Sequence, residues 1–228
     1  RGVMIFKQNI SYKEASEYVG KAIEDQVLYD PTSVLGLATG STPLGIYEYL
    51  CKSDVDFRDV ITFNLDEYGD DGDLKIEDTY RYYMKENLFD KVKFHTSYFP
   101  DDDGGREHYY DGKIEMRGGI DIQILGIGTN GHIAFNEPGC SQDSTTRNVN
   151  LSENTRKDNS RFFPSLEQTP TFAYTMGIST IMKAKKIFLL GGQNKKDIMN
   201  EAAFDPITSD VPASYLQEHD NVEFILYD

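Results

Sequence analysis

Three short stretches of this chain hold residue types that do chemistry when a fold gathers them. In Gly36-Leu37-Ala38-Thr39-Gly40-Ser41-Thr42-Pro43 an apolar strand empties into small hydroxyl residues, with proline at the first position of a helix. Orphan backbone N–H groups and the positive end of a helix dipole meet at such a junction. Gly40 lets the backbone approach closely, and Ser41 and Thr42 add hydroxyls. This is a phosphate site in outline; capping by Thr42 alone accounts for one hydroxyl, not for four consecutive small residues. Phe63-Asn64-Leu65-Asp66-Glu67-Tyr68 sets two carboxylates just past a second strand, where open α/β sheets keep their ligand crevice, although most such acids are solvated loop residues. Ile124-Leu125-Gly126-Ile127-Gly128 ends a further strand and delivers Asn130, His132 and Glu137. A histidine beside a carboxylate in a glycine-rich turn suits a general base oriented by a second group.

Other patterns carry less. Gly126-Ile127-Gly128-Thr129-Asn130-Gly131 has the spacing of a dinucleotide fingerprint, but Pro138-Gly139 stops the following segment before a long helix can form. Gly40 to Gly45 has the Walker glycine spacing, yet Ile46-Tyr47 stand where Lys and Ser/Thr are required. The acidic run Asp70-Asp71-Gly72-Asp73 reads as a solvated turn, because Gly69 falls on a ligand position of the calcium loop. Cys51 and Cys140 make neither a metal spacing nor a disulfide framework, which suits a reducing compartment.

The elements that must position these residues are legible as β-type runs at Val34–Ala38, Val60–Asn64, Ile120–Leu125, Ile187–Leu190 and Val222–Tyr227. They are near-continuous and apolar, as strands covered on both faces are. Helix-length segments lie between them at Tyr12–Leu28, Pro43–Cys51, Thr79–Phe89, Arg106–Met116 and Lys195–Phe204. The alternation predicts a doubly wound, mostly parallel α/β sheet of Rossmann-like type, in a single domain over 1–228. One polar stretch, from Pro138 to about Pro170, breaks the rhythm and reads as an irregular lid carrying Arg147, Arg156 and Arg161.

Composition narrows the partners. Acids outnumber bases 38 to 23, a formal charge of −15, so phosphate backbones and anionic membranes are repelled; neither nucleic acid nor membrane is expected. No apolar run approaches the roughly 20 residues of a bilayer span, and the start turns polar at Lys7-Gln8-Asn9 without a signal-peptide core. A cytoplasmic location follows as the expectation.

Together, Thr39-Gly40-Ser41-Thr42-Pro43, Phe63 to Tyr68, Gly126 to Pro138 and Asn159-Ser160-Arg161-Phe162-Phe163 resemble, in order and spacing, the glucosamine-6-phosphate deaminases. The resemblance runs over essentially the whole chain. It implies conversion of glucosamine 6-phosphate and water to fructose 6-phosphate and ammonium, with no cofactor and no metal. Placed on matching positions, Asp66 carries a proton between the second and first carbons, and His132 opens the sugar ring, oriented and charged by Glu137. Thr39, Gly40, Ser41 and Thr42 hold the phosphate, clamped by Arg161 and by Lys195 in Gly191-Gly192-Gln193-Asn194-Lys195. The threonine–glycine turn is shared with phosphogluconolactonases. A lactonase-like hydrolase or isomerase, or a non-enzymatic sugar-phosphate sensor, are therefore the alternatives.

Departures from the family pattern carry expectations of their own. Many members have Asp where this chain has Asn130, so a second carboxylate beside His132 is missing. Arg147 is followed by Asn148-Val149 where activated members carry a second basic residue, and the sequence ends at Asp228. No activation by N-acetylglucosamine 6-phosphate is expected, and the assembly is expected to be a monomer or a small homo-oligomer.

Overall fold

In the computed structural model the described residues are 2–106 and 108–228; Arg1 and Glu107 lie outside them. The strands are β1 Val3–Ile10, β2 Val34–Leu37, β3 Ile61–Asn64, β4 Asp66–Tyr68, β5 Thr96–Tyr98, β6 Ile122–Gly126, β7 Arg147–Asn150, β8 Phe172–Thr175, β9 Lys186–Gly192 and β10 Asn221–Tyr227. Seven form one parallel sheet in the order β1-β10-β9-β6-β2-β3-β5. The chain runs outward from β2 to β5, then crosses back to β6 and winds the other way. The direction therefore reverses between β2 and β6, which is where an open α/β sheet forms its crevice.

The helices are α1 Tyr12–Tyr29, α2 Leu44–Cys51, α3 Tyr80–Met84, α4 Tyr109–Met116, α5 Glu153–Asn159, α6 Ile178–Met182 and α7 Lys196–Phe204. Ser11 starts α1 with a capping box, accepting from Glu14 N while the Glu14 carboxylate accepts from Ser11 N. Ala15, Val19, Ile23 and Val27 then recur at four-residue spacing and are buried, so α1 presents one apolar stripe. The central strands are buried along their length, Leu35, Phe63, Leu125 and Leu189 among them.

A second, antiparallel sheet of order β4-β8-β7 stands beside the first. Leu65 is the single residue between β3 and β4, and its carbonyl accepts from Met176 N at 2.7 Å. The chain thus changes sheets immediately before Asp66.

All five expected central strands are present, and the sheet is parallel and α/β as the pattern implied. β1 has no counterpart among the expected strands, because this edge strand has no buried residue and escapes an apolar-run criterion. Three expectations need correction. The Thr79–Phe89 helix is α only to Met84 and continues as a wider turn over Lys85–Phe89, and the helix expected from Arg106 begins at Tyr109. The stretch from Pro138 to Pro170 is irregular only in part: it contains β7, α5 and a tight turn at Ser160–Phe162.

Candidate active site

The turn after β2 presents backbone donors, unpaired among the described residues, at the start of a helix. Gly40 has φ +94°, a left-handed conformation that other residues resist, and no atom would crowd a side chain there, so the requirement is conformational. Pro43 precedes α2 with no side-chain cap, so Thr42 does not serve as one; its hydroxyl lies 3.5 Å from the Tyr227 hydroxyl. Among the described residues, the N–H groups of Gly40, Ser41 and Thr42 find no acceptor. Unpaired donors at a helix start are what a phosphate satisfies.

Past β3, the two carboxylates separate. Glu67 is buried and accepts from the N–H groups of Tyr68, Tyr80 and Arg81 at 2.8, 2.9 and 2.9 Å, with the Arg81 guanidinium 3.5 Å away. Burial pushes its pKa up, and those bonds oppose the shift. It ties the start of α3 to β4 and has no capacity left for substrate. Asp66 is 9% exposed, and its carboxylate has no hydrogen-bond partner among the described residues. Burial first, and the Glu67 charge second, push it up to about 8.

After β6 the chain makes a loop whose geometry is set by His132. The imidazole lies over Gly128, where a Cβ would fall 2.1 Å from the ring, so only glycine fits. Asn130 donates from Nδ2 to Glu137 Oε2 at 3.1 Å. Because a carboxylate only accepts, this fixes the amide with Oδ1 toward the ring, 2.7 Å from His132 Nδ1. Nδ1 therefore carries the proton and Nε2 keeps its lone pair. Burial pulls the His132 pKa down, aided by Lys195 and opposed by Glu137, so the ring is neutral at pH 7. Glu137 does not bond the ring directly: its Oε2 is 3.9 Å from Nδ1 and acts through Asn130. Its other oxygen accepts from the Thr155 hydroxyl on α5.

Asn136 locks the loop, donating to the carbonyls of Ile133 and Met176 at 2.9 and 2.8 Å and accepting from Arg147 at 2.9 Å. Sequence reading gave no role to Thr155 or to this bond of Asn136. A Ser152 cap with Thr155 three residues on marks a helix start, but nothing in the sequence shows what its hydroxyl meets.

The basic residues also divide. Arg147 is taken up by Asn136, and Arg156 donates to the carbonyls of Leu166, Thr169 and Pro170. Arg161 is exposed, stands over the Phe162 ring at 4.7 Å, and has no acidic partner among the described residues. Lys195 donates to Ile127 O at 2.9 Å; burial, with Arg161 nearby, holds its pKa below the ordinary lysine value.

The structure therefore brings together at the ends of β9, β6, β2 and β3, four neighbours in the sheet, Lys195, the Asn130–His132–Glu137 set, Thr39 to Thr42, and Asp66. The pair Tyr68 and Phe163, with ring centres 5.5 Å apart, packs the segment carrying Arg161 against β4.

Comparison with known proteins gives the family and the fold. Residues 8–225 match the model of the family described as glucosamine-6-phosphate isomerases/6-phosphogluconolactonase. The chain is similar to the glucosamine-6-phosphate deaminase of Lachnoclostridium phytofermentans, 45% identical over 94% of this chain and 95% of that protein. It is similar also to the deaminase of Listeria monocytogenes, 47% identical over 94% and 91% of the two. A solved monomeric glucosamine-6-phosphate deaminase superposes with a TM-score of 0.89 at 36% identity, covering 98% of this chain and 97% of that one. The 6-phosphogluconolactonase of Trypanosoma brucei shares the fold alone, at 17% identity and a TM-score of 0.76. The chain belongs to the glucosamine-6-phosphate isomerase/6-phosphogluconolactonase family, and within it to the glucosamine-6-phosphate deaminases.

Proposed function

We propose that this protein converts glucosamine 6-phosphate and water to fructose 6-phosphate and ammonium. The observation that carries this reading is the unpartnered, buried Asp66 at one strand end, with a neutral His132 of fixed tautomer two strands away. The phosphate sits on the free N–H groups and hydroxyls of Thr39 to Thr42, between Arg161 and Lys195. A dianion there offsets the burial and the Arg161 charge that together depress the Lys195 pKa. Nε2 of His132 takes the proton of the anomeric hydroxyl and returns it to the ring oxygen, which opens the ring. Asp66 then removes the proton on the second carbon and delivers it to the first, through an enolic intermediate. Water adds to the resulting imine carbon, and ammonium leaves. A carboxyl near pH 8 both takes and gives this proton well, since general acid–base catalysis is best when the pKa lies near the working pH. Proton transfer followed by imine hydrolysis needs no redox group, so the reading includes no cofactor.

The segment 138–170 is read as a lid on a single domain spanning 1–228, a reading supported by the Thr155 bond to Glu137 and by the nearness of Arg161 to Lys195. A monomer is the proposed assembly, supported by the monomeric relative at 36% identity. The cytoplasm is the proposed location, since a sugar-phosphate dianion does not cross bilayers and Cys51 and Cys140 are free. No helix among the described residues is long and apolar enough to cross a membrane.

The test is to supply purified protein with glucosamine 6-phosphate, adding neither cofactor nor metal, and to measure both products. Equal amounts of ammonium and fructose 6-phosphate are expected. Turnover of 6-phosphogluconolactone with neither product formed would move the protein to the lactonase branch.

A further inference from the structure

In the turn Gly40–Thr42 the first two residues are exposed and Thr42 is half-buried, and the helix start has no side-chain cap, so something else must hold its donors in place. Two tyrosines from distant elements touch its carbonyls. Tyr83 on α3 donates to Gly40 O at 2.5 Å. The Tyr12 hydroxyl, at the start of α1, lies 3.0 Å from Ser41 O and 2.9 Å from Thr42 O and shares its proton between them. The same hydroxyl accepts from Gly45 N at 2.8 Å.

We propose that Tyr12 and Tyr83 are positioning residues, a clamp that aims the N–H groups of Ser41 and Thr42 at the substrate phosphate; this rests on reading the turn as the phosphate site. The argument is planarity. In a trans peptide the carbonyl of one residue and the N–H of the next lie in one plane and point opposite ways, and no peptide bond among the described residues is cis. Holding Gly40 O therefore fixes the Ser41 N–H, and holding Ser41 O fixes the Thr42 N–H. The third carbonyl precedes Pro43, which has no N–H to aim. Tyr12 also occupies the Gly45 N–H, so it both orients one donor and removes another from competition. A loop that is already aimed loses less freedom when the anion binds, which appears as affinity. Both hydroxyls are spent on backbone groups of the turn and of the start of α2, so the clamp acts on binding and not on chemistry. The Tyr12 ring also lies 4.9 Å from that of Tyr227, whose hydroxyl reaches Thr42, and a phenylalanine keeps that packing while losing only the hydroxyl.

The test uses the full chain and inorganic phosphate as probe, titrated by calorimetry into wild type, Tyr12→Phe, Tyr83→Phe and Lys195→Ala. Kinetics with glucosamine 6-phosphate and thermal melts accompany it. Phosphate affinity is expected to fall about 3–10-fold in each tyrosine variant, the scale of one hydrogen bond, with KM rising in step and kcat held within about twofold. Unchanged phosphate affinity in a folded tyrosine variant overturns the clamp, even if the melting temperature drops. So does a fall in kcat at constant phosphate affinity. Each tyrosine tests the claim independently, so loss of one variant to misfolding leaves the other. Lys195→Ala separates the clamp from the reading beneath it. Phosphate binding that depends on Lys195 but not on either tyrosine removes only the clamp, whereas a wild type that binds no phosphate, or binds it without regard to Lys195, removes the site as well.

Discussion

Asp66 and Glu67 are neighbours in sequence and opposites in environment. Glu67 is bonded to three backbone N–H groups and Arg81, while Asp66 is buried with no hydrogen-bond partner among the described residues. The cost of keeping Asp66 depends on pH. Its folded pKa of about 8 lies above the unfolded carboxylate value near 4, so below pH 4 both states are protonated and no penalty exists. Between about pH 4 and 8 the unfolded state ionises first, and folded stability declines by up to about 1.4 kcal/mol for each unit. Asp66→Asn is therefore expected to melt well above wild type at pH 8 and level with it near pH 4; an equal difference at both pH values would show that the carboxyl is not raised. The histidine set gives a second test. Glu137→Gln offers Asn130 a donor as well as an acceptor, so the amide can turn over and present its NH2 group to Nδ1, which stabilises the wrong tautomer. We expect kcat to fall about 10²-fold or more with KM little changed. A variant with full kcat would show that the ring is oriented without this relay.

At the scale of elements, the proposed site is four strand ends and the segment that carries Arg161, and the proposed phosphate grip draws on both. Lys195 follows β9 and Arg161 follows α5, so removing either leaves the turn after β2 intact. Arg161→Ala and Lys195→Ala are each expected to weaken glucosamine 6-phosphate binding by about 1.5–3 kcal/mol, the scale of a charge-assisted hydrogen bond. Inhibition by inorganic phosphate that is equal in wild type and both variants would contradict this. These same elements explain what the sequence could and could not reveal. Central strands such as Ile122–Gly126 are buried on both faces, so they must be apolar throughout and are easy to read. β1 and β7 show alternating exposure, α5 is Glu-Asn-Thr-Arg-Lys-Asp-Asn without an apolar stripe, and β4 is three residues long. Such elements are fixed by partners far along the chain, as when Glu67 pairs with Tyr174, and local periodicity does not contain that information. The motifs place Asp66, His132, Lys195 and the threonine–glycine turn at strand ends. The family resemblance assigns Asp66 and not Glu67, while residue type alone does not separate two adjacent acids; burial and bonding supply the physical distinction.

The molecule as a whole carries a formal charge of −15, yet Arg161 and Lys195 lie near enough for the arginine's charge to act on the lysine, beside the proposed phosphate turn. Regulation by a second sugar phosphate needs a second site with its own free charges, since allostery is a coupling between distinct sites. Arg147 is occupied by Asn136, and Val149 packs with Tyr68, Phe135, Leu151 and Ala173 in an apolar cluster. Initial rates are therefore expected to rise hyperbolically with substrate and to be unmoved by N-acetylglucosamine 6-phosphate; a sigmoidal curve that the acetylated sugar straightens would overturn this. The central claim, that Asp66 carries the proton in the deamination of glucosamine 6-phosphate, meets its most direct test in one comparison. Ammonium and fructose 6-phosphate are measured together for wild type and Asp66→Asn, with phosphate affinity recorded on the same samples. Wild type is expected to form both products in equal amounts, and the variant to lose at least about 10²-fold in rate while binding phosphate within a few fold of wild type. Comparable product formation by the folded variant would contradict the account.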